Sequence, residues 1–275
     1  MAARRFLALA TLIAGVGVVA PSHVRADPPT RVVSINLCAD QLLAFLADPG
    51  VLLSVTHLSA DPSLSYVAEQ VRDISINYGR SEEVLTLRPD LVVAGLYAAR
   101  PAVAMLQKFG IEVIDLPIPE TFHEIRRQVR LLSERLGVEP RGQKLIAEMD
   151  RRLANVAANH EHMPRALVLG ARGFTSGPGT LVHEVLTAAG LRNVAAELGV
   201  QGYGQVGLEE IIRADPEIIV VNQPSIQSPS LARDVLAHPA LRHLGGQVVR
   251  MNPSLWGCGG PHTVEAVEFL AAVAR

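Results

Sequence analysis

The stretch EEVLTLRPDLVV at residues 82–93 returns as EEIIRADPEIIVV at residues 209–221. In both copies a glutamate pair opens a short amphipathic run, a proline stands seven residues after the first glutamate, and an acid and an apolar β-branched stretch follow. From Glu82 to Glu209 the offset is 127 residues. That is far beyond the roughly 20 to 50 residues of solenoid and propeller repeats, so one domain plan is used twice. Acids suit the positive end of a helix dipole and proline stops a helix, so each copy predicts a helix, a turn and a buried strand.

The first residues carry Arg4 and Arg5, an apolar run over 6–20, and Val24-Arg25-Ala26 ahead of Asp27. This is the pattern of a cleavable secretory signal over residues 1–26, predicting a mature chain from Asp27 in the periplasm. The run is shorter than the roughly 20 residues a membrane span needs, and no later stretch is long and apolar enough, so a soluble mature protein is expected. No cysteine ends the signal, so a lipid-anchored form is not expected. A net charge of −2 gives no basis for binding nucleic acid. The two cysteines, Cys38 and Cys258, leave open a disulfide or two separately buried thiols.

RVVSIN at 31–36 reads as a strand, Asn36 as a helix N-cap, and residues 39–46 as the helix. VLLSVTH, DLVVAG and IEVIDLP repeat the alternation of apolar strand, loop and helix, and a second set runs through RALVLGA, EIIVVN and QVVRMN. Such alternation predicts parallel sheets covered by helices. Residues 121–136 and 139–160 read as helices, with Leu131, Leu132, Leu145, Ile146, Met149 and Leu153 as their apolar stripe. The expected fold is therefore α/β: two three-layer α/β lobes with mainly parallel sheets, at 27–136 and 163–275, bridged by one long α-helix at 137–162. A helical bridge predicts limited hinge motion.

RVVSINLCADQLL, SEEVLTLRPDLVVAG, TSGPGTLVHEVLTAAGLRNVA, GYGQVGLEEIIRADPEIIVV and VVRMNPSLWGCGGPH, in that order, resemble the characteristic segments of class III periplasmic substrate-binding proteins. These are the cobalamin and ferric-siderophore receptors of ABC importers, in the helical-backbone metal receptor superfamily. The resemblance implies no enzymatic activity and no intrinsic cofactor. It implies a cobalt- or iron-containing chelate, cobalamin, a ferric siderophore or haem, held between the lobes. The implied partners are a permease dimer and its ATPase subunits, met by a monomeric binding protein. In that family one glutamate per lobe salt-bridges the permease, and the matching positions are Glu82 and Glu209; the plain alternative is that acids favour helix starts.

Ligands of such sheets sit beyond the carboxyl ends of the strands. Asn36, Cys38, His57, Tyr97 and Arg100 fall there in the first lobe, and Arg172, Phe174, Ser176 and Trp256 in the second. The paired segments Asn77-Tyr78-Gly79-Arg80 and Gly202-Tyr203-Gly204-Gln205 read as loops leading into the acidic helix starts. The ligand-binding candidates are thus Tyr78, Arg80, Tyr97, Arg100, Arg172, Phe174, Tyr203 and Trp256, with Trp256 foremost. Aromatic faces suit a broad, partly apolar ligand, and guanidinium forks suit its anionic groups. Ordinary packing of the aromatics and solvation of the arginines are the simpler alternatives.

Two further classes stay in view. His57, His123, His183 and His262 raise direct binding of a transition-metal ion, while the nearby His160 and His162 read as solvated surface. Ser34, Cys38 and His57 could supply a nucleophile and a base. No GxSxG, P-loop, HExxH or GxGxxG accompanies them in the mature chain, so a binding protein is expected rather than an enzyme.

Overall fold

The computed structural model describes residues 27–97, 100–157, 162–222 and 245–275; the expected signal at residues 1–26 and His160 lie outside them. Five strands form the first sheet: β1 (Val32–Ser34), β2 (Leu52–Thr56), β3 (Ser75–Asn77), β4 (Leu91–Gly95) and β5 (Glu112–Leu116). All pair in parallel, in the order β3-β2-β1-β4-β5, with α1 (Leu37–Leu46), α2 (Ser81–Thr86) and α3 (Arg100–Lys108) between them. The second sheet is built from β6 (Arg165–Val168), β8 (Arg192–Asn193), β10 (Ile218–Asn222) and β11 (Gln247–Met251). Its strands are also parallel, ordered β11-β10-β6-β8. β7 (Phe174–Ser176) and β9 (Tyr203–Gln205) stand apart as an antiparallel ribbon. The remaining helices of the second lobe are α6 (Leu181–Ala188), α7 (Val194–Glu197), α8 (Leu208–Ala214) and α9 (Val264–Val273); between the lobes run α4 (Phe122–Arg135) and α5 (Glu139–Ala157).

The three layers follow from strand alternation. On β1 and β4, Val32, Leu91 and Val93 face an apolar cluster shared with α1, α4, α5, α6 and α9, whereas Val33, Val92 and Ala94 face a smaller cluster under α2 and α3. In the second sheet Ala166, Val168, Ile218 and Val220 join the shared cluster, and Leu167, Ile219 and Val221 the smaller one under α7 and α8. One core therefore runs through both lobes.

The repeat holds in three dimensions. α2 and α8 begin at Ser81 and Leu208, and β4 and β10 at Leu91 and Ile218, so both pairs keep the 127-residue offset. Even the strained turn is shared: Arg88 and Asp215, each just before the proline, sit in the left-handed region at φ 45° and 44°. Divergence comes before the helix, since β3 joins its sheet in parallel while β9 pairs with β7.

α4 and α5 pack Leu132, Ile146 and Met149 into the core, with Leu145 and Leu153 at its margin. Leu131 does not join them; it is exposed, because it lies one position round the helix from Leu132 and outside the buried stripe. At the seam between the lobes Cys38 and Cys258 form a disulfide, with Cα atoms 5.0 Å apart. The next residue, Gly259, must be glycine: a Cβ there would stand 2.3 Å from Pro119 Cγ of the opposite lobe. Tyr66 of the first lobe donates its hydroxyl to Glu265 of α9 at 2.6 Å, and Arg152 of α5 pairs with Glu268 of α9.

Candidate functional site

The carboxyl ends of the first sheet are held by buried polar side chains. Asn36 caps α1, its Oδ1 accepting from the backbone of Cys38 and Ala39 at 3.0 and 3.2 Å. Asp40, one turn into α1, is buried and accepts from the Thr56 backbone, the Thr56 hydroxyl at 2.6 Å and the Ser59 hydroxyl. Burial pushes its carboxyl above the ordinary value, and these donors oppose that rise. They also fix the turn after β2 that carries His57. Asn77, equally buried, donates Nδ2 to Ser34 O (2.9 Å), Ser54 Oγ (2.8 Å) and Val55 O (3.1 Å), and accepts from the Gly79 backbone at 3.0 Å. The loop after β3 is thereby fixed, and Tyr78, 65% exposed, stacks its ring on His57 at 4.8 Å between centroids and 25° between planes.

The second lobe offers a matching pair. Phe174 and Tyr203 stack at 5.8 Å and 13°, both exposed, on neighbouring strands of the β7–β9 ribbon. The turn before the ribbon needs glycine at 173: φ is +75°, and a Cβ would lie 2.2 Å from Val206 O. Arg172, beside it, is itself left-handed at φ 56°. Burial first, and then the Glu120 carboxylate of the first lobe, push the Tyr203 hydroxyl above its ordinary value.

The guanidinium groups of Arg80 and Arg172, exposed beside these pairs, have no hydrogen-bond or ion-pair partner among the described residues. Arg100 is different, because Asp115 at the end of β5 takes its guanidinium at 2.8 Å. Tyr97 is 78% exposed. Below it lies a pocket of about 180 Å³ lined by Asn36, Cys38, Gly95, Leu96, Leu116, Pro117, Ile118 and Gln128. A larger pocket, about 310 Å³, lies at the opposite pole between the end of α1 and Val71 and Ile74, away from the strand ends where ligands of such sheets sit.

Trp256 corrects the sequence expectation. It is only 4% exposed, packs in the shared core, and donates Nε1 to Asn222 Oδ1 at 3.1 Å. The turn at Pro253–Leu255 directs it inward, so it anchors the tail to β10 instead of offering a face to the cleft. Asn77 ends β3, and Tyr203, Gly204 and Gln205 form β9, so these residues lie in strands and not in loops. His183 meets the Asn193 side chain at 3.1 Å, His123 is exposed on α4, and His162 is exposed opposite Glu217. His262 is 3% exposed and stacked on Tyr66 and Phe45. Among the described residues no three His, Cys, Asp or Glu side chains gather as metal ligands. The Cys38 thiol is taken up in the disulfide, and Ser34 Oγ donates to Asn36 O. The sequence pattern does not point to Asp40 or to the pocket residues Leu96, Ile118 and Gln128, and it marks Asn77 only as part of a loop; an acid inside the apolar helix at 37–46 is the one visible signal.

The glutamate pairs divide their work. Glu83 accepts the Tyr78 backbone N–H at 2.8 Å and Glu210 that of Gly207 at 2.7 Å, each closing its helix start. Glu82 and Glu209 are exposed, and their carboxylates have no hydrogen-bond or ion-pair partner among the described residues.

Two three-layer α/β lobes with parallel sheets, joined by a long helix and presenting aromatic pairs at their strand ends, define a class III binding-protein architecture. The model of the periplasmic binding protein family matches residues 32–246, and the chain belongs to that family. A vitamin B12-binding protein of Salmonella typhimurium is 30% identical over 80% of this chain and 80% of its own length. An uncharacterized ABC transporter substrate-binding lipoprotein of Bacillus subtilis is 24% identical over 88% of this chain and 79% of its own. Among solved structures, the apo periplasmic heme-binding protein RhuT of Roseiflexus matches with a TM-score of 0.74 and 22% identity, covering 89% of this chain and 99% of that one.

Proposed function

We propose that this chain is the periplasmic substrate-binding component of an ABC importer. It captures a metal chelate between its lobes and hands it to a permease dimer driven by ATPase subunits. Residues 1–26 serve as the export signal, 27–136 and 163–275 as the lobes, and 137–162 as the connector. The observation that carries the reading is the exposed, stacked aromatic pair on each lobe, His57 with Tyr78 and Phe174 with Tyr203. Flat faces of this kind suit a broad ring. Arg80 and Arg172 beside them supply donors to acidic or amide groups on its rim. Such a site fits cobalamin best, with haem and a ferric siderophore as competitors; the B12-binding relative supports that order.

Glu82 and Glu209 are the docking knobs. Helix capping accounts for Glu83 and Glu210 and leaves the first glutamate of each pair free for basic partners. Titration of the purified protein with cyanocobalamin, haemin and a ferric catecholate, read by visible absorbance, tests the ligand. Saturable binding of cyanocobalamin in preference to the other two is expected; binding of none of the three would remove the chelate reading.

A further inference from the structure

The two helices that carry Glu82 and Glu209 are too short to hold their own direction. α2 has 6 residues and buries only Val84; α8 has 7 and buries only Ile211. A helix of one or two turns is unstable alone, so its direction comes from ties at its ends. The amino ends are closed by Glu83 and Glu210. At the carboxyl end, each lobe supplies an arginine from outside the repeated stretch.

Arg31, just ahead of β1, gives Nη2 to Leu87 O at 2.5 Å and Nε to Arg88 O at 2.9 Å. Arg165, the first residue of β6, gives Nη1 to Ala214 O at 2.6 Å and to Asp215 O at 3.3 Å. These are matching carbonyls in the two lobes, because Leu87 and Ala214, like Arg88 and Asp215, keep the 127-residue offset. A cation placed there meets the negative end of the helix dipole. The backbone of each arginine is gripped in turn. Asp90 accepts the Arg31 N–H at 3.0 Å and returns its own N–H to Arg31 O at 3.0 Å; Glu217 does the same with Arg165, both at 2.9 Å. The spacing along the chain is not copied, since 59 residues separate Arg31 from Asp90 and 52 separate Arg165 from Glu217. The backbone strain falls at the same place. Arg88 and Asp215 hold φ at 45° and 44°, a conformation that persists only where the surroundings fix it, and the arginines take the carbonyls of these two residues.

We infer that Arg31 and Arg165 are positioning residues for docking: each braces the base of its acidic helix on the first strand of its lobe and so fixes the direction in which Glu82 or Glu209 is presented. The inference rests on the docking reading of those two glutamates. Val32 of β1 and Ala166 and Val168 of β6 lie in the core that the lobes share, so the braces also tie the spacing of the two knobs to that core. A symmetric partner with two basic pockets binds better when that spacing is set before contact.

The test compares Arg31→Met, Arg165→Met and the double variant with Arg135→Met, whose guanidinium bonds Glu112 and the Asp27 carbonyl instead. Docking of the chain from Asp27 onward is read by co-sedimentation with liposomes that hold the permease and its ATPase subunits, with no chelate added. Amide exchange is followed in residues 81–88 and 208–215 and in β4 and β10. Each methionine variant should raise the half-saturating concentration by about 5-fold, the scale of a cation at a helix end, and speed exchange in its own helix while the strands keep theirs. Arg135→Met should do neither. Arg31→Lys and Arg165→Lys keep the charge and lose the fork; they should show a smaller change of the same kind and decide the matter where a methionine variant does not fold. Unchanged docking, or exchange that rises equally in helix and strands, would overturn the brace, and the docking reading survives this if Glu82→Lys with Glu209→Lys abolishes docking. If that charge reversal leaves docking intact, or the wild type does not dock, both readings fall together.

Discussion

His262 should make the seam between the lobes sensitive to acid. Its ring is stacked on Tyr66 at 4.5 Å and on Phe45 at 5.8 Å, and neither nitrogen has a side-chain or backbone hydrogen bond of good geometry among the described residues. Burial lowers its pKa from 6.5 to about 4, and the Ser254 backbone offsets this only in part. The folded protein thus holds the imidazole neutral while the unfolded chain protonates it near its ordinary value. Stability is full above about pH 6.5, falls by about 1.4 kcal/mol per pH unit below it, and levels off near pH 4. By pH 5 the loss is about 2 kcal/mol, or roughly 4 to 8 °C in Tm for a chain of this size. His262→Phe keeps the ring stack and removes the proton site. Its Tm relative to wild type should therefore rise by about that amount between pH 7.5 and pH 5. Asp40, raised by burial, acts with the opposite sign in the acid range, but it is present in both proteins and cancels from the comparison. A Tm difference that is the same at both pH values would refute the argument.

Cys38→Ser with Cys258→Ser opens a cross-link between residues 220 positions apart. A loss of up to about 5 kcal/mol is expected by chain entropy, read by chemical denaturation. Trp256→Ala should cost about 3 to 5 kcal/mol of stability as a core deletion and leave the intrinsic ligand affinity of the folded fraction within about 2-fold; Tyr97→Ala should do the reverse, weakening binding by about 1 to 3 kcal/mol with little change in Tm. Glu82→Lys with Glu209→Lys should retain chelate affinity and abolish reconstituted uptake, whereas surviving uptake would reduce the repeated acids to helix caps.

The alternation of strands and helices, the Asn36 cap and the duplicated unit were legible because each is written locally, in apolar periodicity, a capping residue and a fixed offset. What escaped was set by pairing. β3 reads SIN with two of its three residues exposed, and β7 and β9 read FTS and YGQ, so none carries an apolar run. The site depends on those strands. His57 meets Tyr78 because β2 and β3 pair with Thr56 opposite Asn77, so the next residue of each strand lies side by side. Position at a strand end did not reveal which way a side chain turns, and that is why Trp256 looked like a cleft residue. Its direction is set by Asn222, 34 positions earlier in the chain.

The same pairing explains how one duplicated plan yields two unequal cleft walls. In the first lobe the strand before the acidic helix extends the sheet, and Asn77 ties its end to β1 and β2, so Tyr78 rises from a floor continuous with the core. In the second lobe the equivalent strand leaves the sheet to pair with β7, and Tyr203 is carried on a two-stranded ribbon fastened at Gly173 and Val206. The seam holds these walls at a set distance by three ties of different kinds: the helix α5, the disulfide beside the pocket, and the Tyr66–Glu265 hydrogen bond. Wide separation of the lobes would strain or break all three and divide a core they share. Adjustment to a ligand is therefore cheaper in the ribbon, which has two short strands and exposed aromatics, than in the angle between lobes.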